Sequence, residues 1–77
     1  MKKIKIYTAP ICLECEKAKK YFKDQNIAFE EIDTFEQREE AEKAFKKAGF
    51  KKIPIIQIGE TFLVGFDKKK IEEQLNV

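Results

Sequence analysis

Apolar and polar residues alternate along Lys3–Thr8, and this period of two is typical of a β-strand. Beyond Pro10 the spacing of the apolar residues changes to that of a helix, with most of the lysines off the apolar face. Asn26 is a suitable residue to end this helix. The apolar positions on the helix are Cys15, Ala18, Tyr21 and Phe22. The first third of the chain therefore predicts a strand, a turn and a helix.

A second strand and a second helix are predicted in the middle of the chain. Ile27–Ile32 is the strand, and the helix that connects it to the first strand implies that the two run parallel. Thr34 and Gln37 have the spacing of a capping box, so a helix is expected to start there and to stop at Gly49. Phe35, just inside this start, is expected in the core or in a hydrophobic staple. The inward stripe of the helix is Gln37, Ala41, Ala44, Phe45 and Ala48.

The pattern returns to strands in the last third of the chain. Ile53–Ile58 is a third strand, with Pro54 at its entry, where a missing N–H is tolerated. Gly59-Glu60 suits a two-residue hairpin turn. Thr61–Val64 should therefore run antiparallel to the third strand.

A short helix closes the chain, with Asp67 as a favourable N-cap and Ile71 and Leu75 facing inward. At 77 residues, positions 1–77 are expected to form a single domain. The predicted fold is α/β, in the order β-α-β-α-β-β-α. Two crossover units followed by a hairpin give a four-stranded mixed sheet flanked by three helices on both faces.

Charge and composition narrow the range of functions. The 16 basic and 14 acidic residues are interleaved and give a net charge of +2, so no nucleic-acid partner is expected. The run Lys68-Lys69-Lys70 is interpreted as a solvated helix face. The N-terminus has no unbroken apolar stretch, so neither a signal peptide nor a membrane association is expected. We expect a cytoplasmic monomer, in a compartment where a cysteine pair is more often catalytic or metal-binding than structural.

Cys12 and Cys15 are the residues with distinctive chemistry. A disulfide between them would close a very short loop and stabilise the fold little. At a helix start, by contrast, unpaired N–H groups and the positive end of the helix dipole favour the Cys12 thiolate. Cys15 lies almost one turn further on the same helix face and could attack a mixed disulfide formed by Cys12. We therefore assign Cys12 as the attacking and Cys15 as the resolving catalytic cysteine.

Two acidic residues lie next to this pair. Glu14 lies inside the motif and Glu16 is four residues after Cys12. Both favour the helix start, but both oppose a thiolate beside them. Our hypothesis is that the pKa of Cys12 is higher than in relatives with an uncharged motif interior, yet below that of a free thiol. Alternatively, Glu14 points into solvent and its charge is screened.

Three motifs in this order resemble the glutaredoxins of the thioredoxin superfamily: Tyr7–Cys15, Ile53-Pro54 and Gly65-Phe66-Asp67. The resemblance covers essentially the whole chain. It implies a thioredoxin-like fold and catalysis of thiol–disulfide exchange that reduces protein or glutathione mixed disulfides. It also implies no bound cofactor, glutathione as a co-substrate, and a cis Pro54 against the active cysteine. The backbone of Ile53 would then pair with the substrate peptide or with glutathione.

Some positions depart from the typical glutathione-using members. Leu13-Glu14 occupies the motif interior, Ala9 stands where a lysine is usual, and Val64 replaces a glycine. Ala48–Pro54 and Val64–Phe66 are similar instead to the NrdH-redoxins. That resemblance implies electrons taken from thioredoxin reductase and passed to ribonucleotide reductase.

The resemblance also provides a set of candidate binding residues. Lys51 and the N–H groups at the start of the last helix could meet a carboxylate of glutathione. Helix capping explains Asp67 without a ligand, and Phe66 is either a partner contact or a core residue. The complete candidate set for substrate or glutathione is Pro10, Ile11, Lys51, Ile53, Pro54, Gly65, Phe66 and Asp67.

Other functions remain open at this point. Two cysteines without a histidine cannot close a zinc site within one chain, so no metal site is predicted. Some glutaredoxins hold an iron–sulfur cluster across a dimer, which makes a cluster carrier an alternative. A redox-inactive interaction domain with the same fold is another.

Overall fold

The computed structural model describes residues 3–75 and contains the seven elements in the predicted order. The strands are β1 (Ile4–Thr8), β2 (Glu30–Asp33), β3 (Ile55–Ile58) and β4 (Thr61–Val64). The helices are α1 (Leu13–Asp24), α2 (Arg38–Ala48) and α3 (Lys68–Leu75). The predicted α/β architecture with a four-stranded mixed sheet is therefore confirmed.

The strands lie in the order β2-β1-β3-β4. β1 is parallel to β2 and antiparallel to β3, and β3 is antiparallel to β4. Only the first of the two predicted crossover units therefore joins parallel strands. α2 returns the chain to the other side of β1, where β3 runs in the opposite direction.

Side chains alternate between the two faces of the sheet and form two apolar clusters. The cluster on the side of α1 and α3 is larger, and it contains Ile4, Ile6, Ala18, Tyr21, Phe22, Ile56, Ile58 and Ile71. The cluster on the side of α2 contains Tyr7, Ile32, Ala44 and Ile55. The helices thus cover both faces, and the predicted inward positions of α1 are all buried.

The three sequence motifs meet at one edge of the sheet, which we call the motif edge. It is defined by Thr8, Asp33, Ile55 and Val64, since Thr8 pairs with Asp33 and Ile55 pairs with Val64. β3 is antiparallel to β1, so it begins where β1 ends. Each of the three helices follows a strand that ends at this edge, so all three helix N-termini lie there as well.

Three strands start later than predicted, β1 by one residue and β2 and β3 by more. β2 begins at Glu30 rather than Ile27, because the N–H of Ile27 still bonds to the carbonyl of Phe22, 2.9 Å away. Asn26 makes this turn with φ of 58°, as expected for a residue that ends a helix. β3 begins at Ile55, two residues after the predicted start. In β2 and β3 the apolar run along the sequence starts before the residues that pair with a neighbouring strand.

The predicted capping box is wrong. Asp33 Oδ1 accepts hydrogen bonds from the N–H groups of Phe35 (2.7 Å) and Glu36 (3.3 Å), which folds this segment into a turn. α2 begins only at Arg38, and its N-cap, Gln37, makes no capping bond with its side chain. The N–H of Gln37, which a capping box at Thr34 would use, instead donates to the carbonyl of Asp33 at 2.8 Å, so the capping box does not form.

The prediction for Phe35 is wrong for the same reason. It lies in the turn and not in the helix, and it is 69% exposed. The predicted end of α2 is confirmed: Gly49 has φ of 83°, and its N–H bonds to the carbonyl of Phe45. In residues 3–75, no helix is long and apolar enough to cross a membrane.

Candidate redox site

The two cysteines form an asymmetric pair at the start of α1. Cys12 is the N-cap, with an extended backbone, and its Sγ accepts a hydrogen bond from the N–H of Cys15 at 3.2 Å. The two sulfur atoms are joined as a disulfide, with the Cα atoms 5.2 Å apart. Cys12 is half-buried, whereas Cys15 is only 1% exposed. Cys12 is therefore the sulfur that another molecule can approach.

This position favours a thiolate on Cys12. The first N–H groups of a helix have no partner within the helix, and one of them donates to Cys12 Sγ. The positive end of the helix dipole acts in the same direction. A hydrogen bond to the charged form of a group stabilises that form, so both effects act in favour of a thiolate when the pair is reduced.

The residues on either side of Cys12 are apolar and uncovered. Ile11 is 105% exposed and Leu13 is 82% exposed. Ile11 also has φ of 54°, in the left-handed region that a β-branched residue rarely adopts. Such a conformation costs about 1–2 kcal/mol. Ile11 was predicted as a site residue from sequence, whereas Leu13 was not.

The second motif lies where β3 enters the sheet. The Ile53–Pro54 peptide bond is cis, as the resemblance implied. The carbonyl of Pro54 accepts a hydrogen bond from the N–H of Gly65 at 2.7 Å, which ties the second motif to the third. Ile53 is half-buried, and its main chain makes no hydrogen bond to the rest of residues 3–75. Its main chain is therefore free to pair with a bound peptide.

A groove of about 990 Å³ continues from Ile53 along the N-terminal half of α2. Lys51 lies on its rim, exposed, with its Nζ 3.9 Å from a carboxylate oxygen of Glu42. Pro10 is exposed in the turn before Cys12. The structure thus leaves the predicted Lys51 and Pro10 accessible.

Phe66 and Asp67 have structural contacts. Phe66 is half-buried against the larger apolar cluster, with its ring centroid 6.0 Å from that of Tyr21. Asp67 is exposed, and its Oδ1 accepts a hydrogen bond from the N–H of Lys70 at 3.3 Å, which confirms the predicted cap of α3. The assignment of either residue to ligand binding stays a prediction.

A charged network beside the site was not found from the sequence. Lys19 Nζ is 3.0 Å from Glu16 Oε1 and 3.1 Å from Glu31 Oε2. Thr8 Oγ1 donates to the same Glu31 oxygen at 3.0 Å. The hydrogen bond to Glu16, followed by the Glu31 interactions, raises the pKa of Lys19 despite partial burial. The spacing of Glu16 and Lys19 was the available signal, but the partner on β2 was not foreseeable.

No group of three or more metal-ligating side chains occurs within residues 3–75. The reactive groups that the site does bring together are the two sulfur atoms at the start of α1. The fold and this pair define the chain as a small redox protein of the glutaredoxin type.

Comparison with known proteins agrees with this class. The family model described as Glutaredoxin matches residues 4–63, so the chain belongs to the glutaredoxin family. An uncharacterized glutaredoxin-like 8.6 kDa protein in the rubredoxin operon of Clostridium pasteurianum is 38% identical over 73 residues. The match covers 91% of this chain and 93% of that protein.

Two further relatives carry the NrdH name. The glutaredoxin-like protein NrdH of Lactococcus lactis subsp. lactis is 33% identical, covering 82% of this chain and 86% of its own. The solved structure of the glutaredoxin-like NrdH-redoxin from Escherichia coli superposes with a TM-score of 0.78 at 28% identity, covering 92% of each chain. The chain is thus similar in sequence and in fold to NrdH-like redoxins.

Proposed function

We propose that the protein reduces disulfide bonds by thiol–disulfide exchange, with Cys12 as the attacking cysteine and Cys15 as the resolving cysteine. The observation that carries the proposal is the difference in burial between the two, half-buried for Cys12 and 1% exposed for Cys15. A sulfur must be accessible to start an exchange with another molecule. The sheltered sulfur is restricted to the intramolecular step.

In the reduced protein the Cys12 thiolate attacks one sulfur of the substrate disulfide. A Cys12–substrate disulfide forms, and the other substrate sulfur leaves as a thiolate that takes up a proton. The Cys15 thiol then loses its proton and attacks Cys12 Sγ. The Cys12–Cys15 disulfide forms and the second substrate thiol is released. In each cycle two electrons pass from the protein to the substrate, one proton comes from the Cys15 thiol and the other comes from solvent.

The substrate docks in extended form against Ile53 and Pro54. The unbonded main chain of Ile53 supports this, as does the hydrogen bond from Gly65 that fixes the Pro54 carbonyl. In this proposal the docked substrate lies between Ile11 and Phe66. Main-chain hydrogen bonds do not depend on the side chains of the substrate, so they allow many substrate sequences to bind. Discrimination between substrates must therefore come from the side chains around Cys12.

A flavin-containing thioredoxin reductase is the electron source that we favour, with ribonucleotide reductase as an acceptor. The similarity to NrdH of Lactococcus lactis supports this, as does the thioredoxin-like activity profile named for the Escherichia coli NrdH-redoxin. Within this chain, Ala9 and Val64 stand where glutathione-using members have a lysine and a glycine. The N–H of Gly65 is also already bonded to Pro54.

Glutathione is the second candidate for the electron source. It would be a co-substrate and not a bound cofactor. The exposed Lys51 and the unbonded main chain of Ile53 are the observations that favour it. Lys51 would meet a glutathione carboxylate, and Asp67 lies at the start of α3 on the same edge.

The test is reduction of a small mixed disulfide with two regenerating systems run in parallel, glutathione with its reductase and thioredoxin reductase with NADPH. Turnover only with thioredoxin reductase would support the NrdH-like assignment, and turnover with glutathione would favour the second candidate. Cys12→Ser should abolish both reactions, whereas Cys15→Ser should accumulate a covalent adduct with the substrate. A folded protein that is inactive in both systems would contradict the proposed function.

A further inference from the structure

We propose that Ile11 and Leu13 form an apolar collar around Cys12 that selects protein disulfides whose cysteine has apolar neighbours. The inference rests on the proposed function and names the class of substrate that the site prefers. Its occupant is an extended segment of a protein, with an apolar residue on at least one side of the reacting cysteine.

The position of the two side chains puts them within reach of a bound substrate. They are the immediate neighbours of Cys12, and both are exposed. A substrate sulfur bonded to Cys12 brings its own flanking residues to the same place, because the disulfide is only a few ångströms long. Apolar flanking residues of the substrate would cover Ile11 and Leu13 and remove both side chains from water. Polar flanking residues would either leave Ile11 and Leu13 partly solvated or be desolvated themselves.

The backbone of Ile11 supports the same conclusion. Its φ of 54° is readily adopted by glycine or asparagine and is unfavourable for a β-branched residue. A buried side chain could offset this strain by packing, but that of Ile11 is completely exposed. Strain that the fold does not offset is commonly found at functional sites. We therefore infer that the Ile11 side chain makes its favourable contacts with a bound substrate and not within the free protein.

Charge argues against glutathione as the preferred occupant of the collar. Glutathione carries two carboxylates, and the segment from Ala9 to Glu16 contains no cation. Glu14, exposed directly after Leu13, adds a negative charge. The charges of this segment thus favour a neutral apolar occupant over an anionic one.

The experiment measures single-turnover rates of the reduced protein with two symmetrical peptide disulfides, so it needs no regenerating system. One pentapeptide has leucine and valine beside its cysteine, and the other has serine on both sides. Released peptide thiol is counted after acid quenching. We expect the second-order rate constant to be about tenfold higher for the apolar peptide. A difference of this size is typical when two substrates differ by a single apolar contact.

Substitutions of the two collar residues test whether the preference for the apolar peptide depends on the collar. Ile11→Asn and Leu13→Ser should each reduce the ratio of the two rate constants toward one. Phe50→Ser is the matched control, because Phe50 is 67% exposed but follows the end of α2, and the ratio should not change. Asparagine tolerates the left-handed region, so Ile11→Asn should leave the Tm unchanged or raise it, whereas a scaffolding role for Ile11 would lower it.

Three outcomes would overturn the inference. Equal rate constants for the two peptides in the wild-type protein would overturn the collar alone, and so would an unchanged ratio in both collar variants. No reaction with either peptide disulfide would overturn the proposed function and the collar with it.

Discussion

Lys19 Nζ lies 3.0 Å from Glu16 Oε1, and Lys19 is one helical turn beyond Glu16 and two turns beyond Cys12. The lysine side chain is only 18% exposed and also contacts Glu31 on β2. The pair therefore holds the Glu16 carboxylate toward the second turn of α1 and places a cation beside it. Glu14, by contrast, is exposed and has no ion pair within residues 3–75.

Lys19→Gln should raise the pKa of Cys12. The substitution removes a cation from the same face of the helix and releases the Glu16 carboxylate, and both changes disfavour the thiolate. Titration of thiolate ultraviolet absorbance measures the effect. The control is Lys20→Gln, which removes an equal charge from an exposed neighbour and should shift the pKa less. The shift caused by Lys19→Gln should be smaller in a Glu16→Gln background, and equal shifts in both backgrounds would contradict the coupling.

Glu14→Gln should lower the pKa of Cys12. Glu14 contributes a negative charge close to the thiolate, and no cation in residues 3–75 pairs with it. The same absorbance titration measures the change, and the difference from wild type should shrink in high salt because the charge is solvent-exposed. An identical pKa in the variant and the wild type would show that the charge is fully screened.

The raised pKa of Lys19 also predicts a pH dependence of stability. A lysine whose pKa is higher in the folded state stabilises the fold below its unfolded pKa of 10.5 and loses that contribution as pH rises through the folded value. Lys19→Gln should therefore lower the free energy of unfolding by about 0.5–1 kcal/mol near neutral pH. Denaturant titrations should show this difference disappearing in strongly alkaline solution. A difference that stays constant across that range would exclude the ion pairs as its cause.

Two buried threonines should respond in opposite directions to the same substitution. Thr34 Oγ1 is buried with no hydrogen-bond partner in the described residues, so Thr34→Val should stabilise the protein by up to about 1 kcal/mol. Thr8 Oγ1 donates to Glu31, so Thr8→Val should destabilise it by about 1 kcal/mol. Thermal unfolding measures both, at roughly 4–8 °C per kcal/mol in a domain of this size. Loss of stability in Thr34→Val would indicate a hydrogen bond at that hydroxyl in solution.

Two isoleucines on either side of the motif edge should differ in their sensitivity to loss of one methyl group. Ile6 is completely buried, and Ile6→Val should cost about 0.5–1.5 kcal/mol. Ile11 is fully exposed, and Ile11→Val should change the free energy of unfolding by less than about 0.5 kcal/mol. Denaturant unfolding of both variants makes the comparison. A comparable loss in Ile11→Val would mean that Ile11 is packed in solution, which would contradict its place in the collar.

Much of the fold was predictable because its signals are local. The burial of Cys15, Ala18, Tyr21 and Phe22 follows from helical spacing, and the caps at Gly49 and Asp67 follow from residue type. The errors arose where two local signals competed. Thr34 and Gln37 have the spacing of a capping box, but Asp33 accepts the N–H groups of this turn through its carboxylate and its carbonyl. The helix α2 therefore starts at Arg38.

The sequence by itself determined the order of elements and the cysteine pair at a helix start, since periodicity and helix-end chemistry involve only neighbouring residues. The tertiary structure alone decided that β3 pairs with β1 in the opposite direction and that Lys19 reaches Glu31. It alone also showed that the side chains of Ile11 and Leu13 are left uncovered. These features depend on which distant residues come together, and no pattern along the chain records that choice.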